Sequence, residues 1–315
     1  MIRQRRLKTA ISLLLVCILA AGCAGRQAPA PKTEPLGEEP TISLYINETG
    51  EKKNIKMEEY IQGVVAAEMD TKWPVNALAA QAILARTFTM ENINSGRVKK
   101  LHGTDVSTSV EESQAYDPAK INDNVRQAVN MTRGKIITVN NNPIHAWFSA
   151  CCGGIAASAP EGLAYTKEAT PYIKAGVQDG CLAITEPKNK AWEARVPLWQ
   201  VRSAVQNSTG KEPGAIKSVS IQKKGPSGRA EQIKIGNAAI SGPALRLALG
   251  SEKVRSMLLT DLRIEGDQLV LRGKGFGHGV GMCQFGARLM AEQGKSCEEI
   301  IQFYYQGVDL QQKWQ

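Results

Sequence analysis

The sequence predicts an α+β fold of mixed short strands and helices, and three observations lead there. Thr41 to Asn47 places Ile42, Leu44 and Ile46 at alternate positions, the period of a half-buried strand. Met57 to Thr89 carries apolar residues at helical spacing. From Trp192 to Arg272 the chain breaks into short strand-like runs that end in a hairpin pattern around Gly266-Asp267.

The chain has 315 residues and a formal charge of +9. Arg3, Arg5, Arg6 and Lys8 precede a short apolar run, Ala10 to Ala21. That run is below the roughly 20 residues of a membrane-spanning helix, and it ends in small residues as an export signal does. Leu19-Ala20-Ala21-Gly22-Cys23 resembles a bacterial lipoprotein processing site, with the large aliphatic residue one place further back than usual. Cys23 would carry the lipid and hold the protein at the membrane. Ordinary cleavage and an uncleaved anchor are the alternatives. All three put the working domain on the extracytoplasmic face, where nucleic acid is the wrong partner. Residues 1–23 are thus the export segment. Pro29, Pro31, Pro35 and Pro40 make residues 24–40 an extended tether. The remaining residues, 41–311 and the tail, suffice for a core, as one domain or a domain with an elaborated insert. Without the four cationic signal residues the charge is about +5, which suits an acidic polymer or a membrane surface.

Thr41 to Asn47 forms the first strand, with a turn at Asn47-Glu48-Thr49-Gly50. The run from Met57, with Ile61, Val64, Val65 and Glu68 on one stripe, reads as a short helix. Trp73-Pro74 opens a second helix, because a first-turn proline loses no hydrogen bond. It gives out near Asn94-Ser95-Gly96. The polar stretch from His102 to Tyr116 is a surface loop, of the kind that often carries function. Asp117 to Thr132 is a helix, Lys135 to Asn140 a strand, and Ile144 to Ser149 a returning strand. Further strands are expected at Trp192 to Val196, Ile216 to Lys223 and Glu231 to Ile235, with helices at Val201 to Gln206 and Gly242 to Leu249. Leu258 to Ile264 and Gln268 to Arg272 form the hairpin. A helix follows Gly286, and Ile300 to Tyr305 closes the chain.

Glu68 stands out in this frame. Ala66, Ala67 and Met69 flank it, and a carboxylate among apolar groups loses solvation, which raises its pKa. A raised carboxyl group suits a general acid at neutral pH. The alternative is a glutamate at a helix end that reaches water. The second unusual stretch is Gly273 to Ala287, GKGFGHGVGMCQFGA. So many glycines around one histidine do not make a stable strand or helix. They fit a loop pressed against backbone or ligand. No strand–helix context or phosphate-cradling lysine accompanies them, so nucleotide binding is a poor reading.

Taken together, VVAAEM, WP, ALAAQAILART, SACCGG, GKGFGHGVGMCQFGA and FYYQGVDL resemble the SpoIID/LytB family of bacterial spore-formation and cell-wall proteins. The likeness runs from about residue 41 to 311 in consistent order. It implies a peptidoglycan lytic transglycosylase acting on glycan strands, preferably free of stem peptides, with Glu68 catalytic. It also implies substrate-binding roles for Gln81, Arg86, Gln114, Tyr116, His278 and Gln284. Arg86 is equally readable as a structural ion pair, and His278 as a satisfied buried histidine. Asp70 and Asp105 are possible helpers. The resemblance implies no cofactor. Partners would be glycan strands, the membrane, and an amidase or other engulfment proteins. The runner-up is a non-catalytic, LytB-like module that binds wall and stimulates an amidase.

Some members bind a metal through Cys-x5-Cys after the glutamate helix. Here those positions are Ser107 and Ser113, and only His102 remains of a ligand set, so no metal is expected there. Relatives often have His-Ser-Thr-Ser where this chain has Ser149-Ala150-Cys151-Cys152. Cys151, Cys152, Cys181, Cys283 and Cys297 lie outside the export segment. A disulfide between Cys283 and the Cys151-Cys152 pair is expected to be permitted in an oxidising compartment. Its rival is a zinc site that adds His145 or His278, disfavoured because no CxxC-type spacing appears.

Overall fold

The computed structural model describes residues 36–315. The expected export segment, Cys23 and the tether as far as Pro35 lie outside the described residues. Leu36 to Pro40 is within them: Gly37 donates its N–H to the Lys313 carbonyl at 2.8 Å, and Glu39 pairs with Arg133. Among the described residues no helix is long and apolar enough to cross a membrane.

The architecture is α+β, with five small sheets and two hydrophobic cores. The larger core surrounds two helices. The glutamate helix, Met57–Glu68, buries Tyr60, Ile61, Val64 and Val65. The alanine-rich helix, Val75–Ser95, is buried along most of its length. Its alanines let neighbours approach closely, and both the Gln284–Glu292 and Cys297–Tyr304 helices pack on it. Pro74 stands just ahead of its first residue and Gly96, in the left-handed region at φ 64°, ends it. Strands Thr41–Tyr45 and Lys52–Lys56 pair antiparallel and lead into the glutamate helix. The helix expected over Asp117 to Thr132 is shorter, Asp123–Met131, because Pro118 first imposes a single 3-10 turn. Asn122 caps it by accepting the Val125 N–H at 3.1 Å.

The smaller core belongs to residues 192–271. Trp192–Pro197, Gln268–Gly273 and Leu259–Glu265 form one antiparallel sheet. Val219–Lys224, Ala230–Ile235 and Ala238–Ser241 form another, and two helices, Leu198–Thr209 and Gly242–Leu249, pack with them. Residues 36–315 form one compact unit, and this smaller core is an insert within it. Polar groups tie it to the body. Buried Arg229 donates to the Cys152 and Ile155 carbonyls, and Glu161 accepts from the Ser227 N–H and hydroxyl.

The glycine-rich segment closes the body against this insert. Phe276 pairs with Cys151, Val280 bridges Ala157, and Met282–Cys283 runs parallel to Phe148–Ser149. Of the strand expected over Ile144 to Ser149, only those last two residues pair, because their partner arrives from the far side of the insert. Gly281, at φ 72°, shows why this segment needs glycine: a Cβ there would lie 1.9 Å from the Trp147 carbonyl oxygen. The last strand, Asp309–Gln312, pairs with Lys135–Val139 and was not foreseen from the sequence. It delivers Trp314 into the larger core, where its indole donates to Glu58 Oε1 at 2.8 Å.

Candidate active site

Glu68 is the final residue of its helix. Met69 turns into extended backbone at φ −131° and ψ 156° and is itself buried. The carboxylate therefore leaves the helix at its negative end, where the peptide dipoles disfavour another negative charge. Its Oε1 accepts the Ala115 N–H at 3.0 Å. Burial raises its pKa, while hydrogen bonds from Ala115 and the Gln284 side chain pull the other way. Among the described residues no lysine or arginine forms a salt bridge with it.

The loop that supplies Ala115 is held on both sides. Gln114 donates to the Ala85 carbonyl at 3.3 Å and to Thr89 Oγ1 at 3.1 Å. Tyr116 stacks on Tyr60 with ring centroids 5.4 Å apart. Its ring lies against Gly63, where a Cβ would meet it at 2.3 Å. Gln81, wholly buried on the alanine-rich helix, faces Gln284 at 3.4 Å. Gln284 opens a helix whose first turn is capped by Cys283 Sγ, accepting from the Gly286 N–H at 3.4 Å.

Glu68 opens on a cleft of about 290 Å³. Phe148, Ser149, Ala150 and Gln284 line it from the body, and Phe276 and Gly277 from the glycine-rich segment. Arg246, Ser251 and Glu252 line it from the insert. The cleft thus lies where the two cores meet. Ser149 Oγ and Gln81 Nε2 are buried without protein partners, so two polar atoms around the carboxylate remain uncommitted.

The structure brings Glu68, Gln81 and Gln284 together and sets Gln114 and Tyr116 behind the glutamate. Arg86 and His278 lie elsewhere. Arg86 is buried and binds Glu58, Nε to Oε1 at 3.0 Å and Nη2 to Oε2 at 2.6 Å. It is the ion pair of the two readings. His278 is absent from the cleft lining. Its Nδ1 accepts the Val280 N–H at 3.0 Å, and burial, with Arg246 and Arg229 nearby, pushes its pKa down to about 3, so the ring is neutral. Asp70 caps a turn through the Lys72 N–H, and Asp105 binds the Ser43 N–H and hydroxyl. Neither lines the cleft. Ser107 and Ser113 bond to each other at 3.1 Å, while His102 turns to Glu112 and stacks on Tyr45. The five cysteines are thiols, and Cys151, Cys152, Cys181 and Cys283 converge. Sequence reasoning missed Arg246, Ser251 and Glu252, which sit in an ordinary amphipathic helix and the turn after it. Phe276 was within the singled-out glycine segment, as one of its two phenylalanines, and lies amid the glycines where Phe285 does not.

Residues 45–139 match the family model described as stage II sporulation protein, and residues 183–281 match a domain of unknown function. An uncharacterized protein of Brachyspira hyodysenteriae is 35% identical over 257 residues, covering 81% of this chain and 67% of that protein. Stage II sporulation protein D of Bacillus amyloliquefaciens is 32% identical over 314 residues, covering 92% of this chain and 87% of its own length. The amidase enhancer of Bacillus subtilis is 28% identical over 79% of this chain, but only 40% of that protein is covered.

Proposed function

The chain belongs to the stage II sporulation protein D family, and on that premise we propose that it is a membrane-held lytic transglycosylase of peptidoglycan glycan strands. The observation that carries the reading is Glu68: a desolvated carboxyl group without a cationic partner, opening on a cleft of about 290 Å³. Protonated Glu68 gives its proton to the glycosidic oxygen as the C1–O bond breaks. The resulting carboxylate takes the proton of the same sugar's 6-hydroxyl, whose oxygen closes on C1. The product is a 1,6-anhydro sugar, no water is consumed, and Glu68 is reprotonated for the next cycle. One carboxyl group suffices, unlike the two of most glycosidases. Gln284 and the Ala115 N–H hold the carboxylate for its basic half-cycle.

Arg246 supports a preference for strands stripped of stem peptides. Removal of the peptide bares a lactyl carboxylate on the sugar. Arg246 spends Nε on the Arg255 carbonyl and Nη2 on that of Ser251, and its Nη1 remains for such an anion. The membrane attachment through Cys23 and an amidase partner belong to the same proposal. The amidase enhancer relative favours one second reading, a wall-binding helper that stimulates an amidase without cutting glycan.

The test incubates the detergent-purified full chain with peptide-free glycan strands and reads product masses. Anhydro-ended products from wild type, falling about 10²–10⁴-fold with Glu68→Gln, are expected. Products heavier by one water would make Glu252 the second carboxylate of a hydrolase. No product, with an unchanged stimulation of amidase by Glu68→Gln, would favour the helper.

A further inference from the structure

Behind the wall of the cleft lies a cluster that the proposed reaction does not use. Cys152, Asp179, Cys181 and Cys283 are buried, and one ligand-capable atom from each lies within 4.8 Å of all the others. Cys152 Sγ is 3.6 Å from Cys181 Sγ and 3.2 Å from Asp179 Oδ2. Four thiolates or carboxylates around a zinc ion at roughly 2.3 Å would stand about 3.8 Å apart at the corners of a tetrahedron. We infer that Cys152, Cys181, Cys283 and Asp179 form a structural site for a thiophilic divalent cation of the zinc class.

The surroundings match a bound, charged centre. Three thiolates and a carboxylate around a dication leave two negative charges. Buried Arg229 faces them, donating to the Cys152 carbonyl with its Nε uncommitted. The Gln284–Glu292 helix points its positive end at Cys283, which supplies roughly another half charge. Cys283 Sγ already accepts the Cys152 and Gly286 N–H groups, bonds that a thiolate ligand keeps. Tyr304 donates to Asp179 Oδ2 at 2.8 Å and the Cys181 N–H to Oδ1 at 3.0 Å, the outer bonds that orient a ligating carboxylate. A buried aspartate among thiols with no cation of its own is otherwise costly. Cys151 is a fifth neighbour, 3.6 Å from Cys181 Sγ, but it lies outside the four-atom group. The ligands come from three segments: Cys152 shortly after the Phe148–Ser149 strand, Asp179 and Cys181 at the start of the Cys181–Ala183 turn, and Cys283 just before Gln284. Ligation would pin Ala150 and Gln284, and with them one wall of the cleft.

From the sequence a disulfide is favoured over a zinc site, and the rival zinc site there takes Cys151, Cys152, Cys283 and His145 or His278. Spacing did not connect Asp179 and Cys181 to the other two. The inference does not rest on the proposed reaction, since metal content is read without glycan.

The experiment uses the full chain purified without chelator. Metal is measured by plasma mass spectrometry, and zinc is then exchanged for cobalt(II). One ion per chain is expected, with thiolate-to-cobalt charge-transfer absorption and tetrahedral visible bands. Alkylation with and without zinc should show Cys152, Cys181 and Cys283 shielded by the ion, which requires no variant to fold. Asp179→Asn should weaken affinity at least 10-fold, while Cys297→Ser should not. Free thiols with no cobalt bands, a disulfide among the three, or shielding of Cys151 in place of one of them would overturn the site.

Discussion

The glutamate helix carries a buried or half-buried carboxylate at each end, and the protein treats them oppositely. Glu58, in the first turn, sits at the positive end of the helix and is 3% exposed. Its oxygens accept from Arg86, from the Gly134 N–H at 3.0 Å and from the Trp314 indole. Glu68, in the last turn, sits at the negative end with one backbone donor and a glutamine. Ten residues separate a carboxylate that fastens the fold from one left undersupplied. The lesson is that burial alone does not mark a reactive carboxyl group. What marks it is burial without the partners that would make the charge cheap, beside open space.

Removing a partner at the fastened end gives the largest effect. Arg86→Met should cost about 3–5 kcal/mol in urea unfolding, because it strands a buried carboxylate. The double change with Glu58→Gln should recover much of that loss. A small loss in the single variant would erase the contrast between the two ends.

At the other end the sign reverses. Burial raises the folded-state pKa of Glu68 above its ordinary 4.5. Between those two values the folded chain holds the proton more tightly than the unfolded chain, so stability falls as pH rises. Glu68→Gln has no charge to bury and should be more stable than wild type at pH 7, by about 0.5–2 kcal/mol. The advantage should close below about pH 4.5. A variant that is less stable at pH 7 would mean that Glu68 is a structural residue like Glu58.

The smallest effect sharpens the contrast. Gln284 stabilises ionised Glu68, so Gln284→Leu should raise its pKa further. The alkaline limb of the activity profile should then move to higher pH, with the loss in rate modest beside that of Glu68→Gln. An unmoved limb would show that Gln284 positions substrate instead.

Much of this was legible in the residues. The two helices, the hairpin and the insert's helix before Gly250 follow local periodicity and capping, so short windows suffice. Glu68 was visible because its apolar neighbours are adjacent in sequence. The fate of Arg86 was not, since its partner Glu58 and the Lys135 carbonyl that takes Nη1 are brought near by packing alone. Arg246 carries no local signal either. Its helix buries Leu245 against the insert's core, and its reach into the cleft depends on how that core docks. Cys181 and Asp179 joined Cys152 and Cys283 for the same reason. Pairing of Met282–Cys283 with Phe148–Ser149 crosses the whole insert, beyond any periodicity.

That pairing also bears on the order in which the chain must assemble. Cys152 and Cys283 touch across 131 positions. Closing a flexible loop of that length costs about 4 kcal/mol in chain entropy, and each halving of the free length returns about 0.6 kcal/mol. The insert's sheets close largely through hairpins and near neighbours, contacts that form quickly. Once folded, they shorten the slack between the two sides. The insert is therefore a spacer that brings distant ends within reach, and the cleft is the last thing to close.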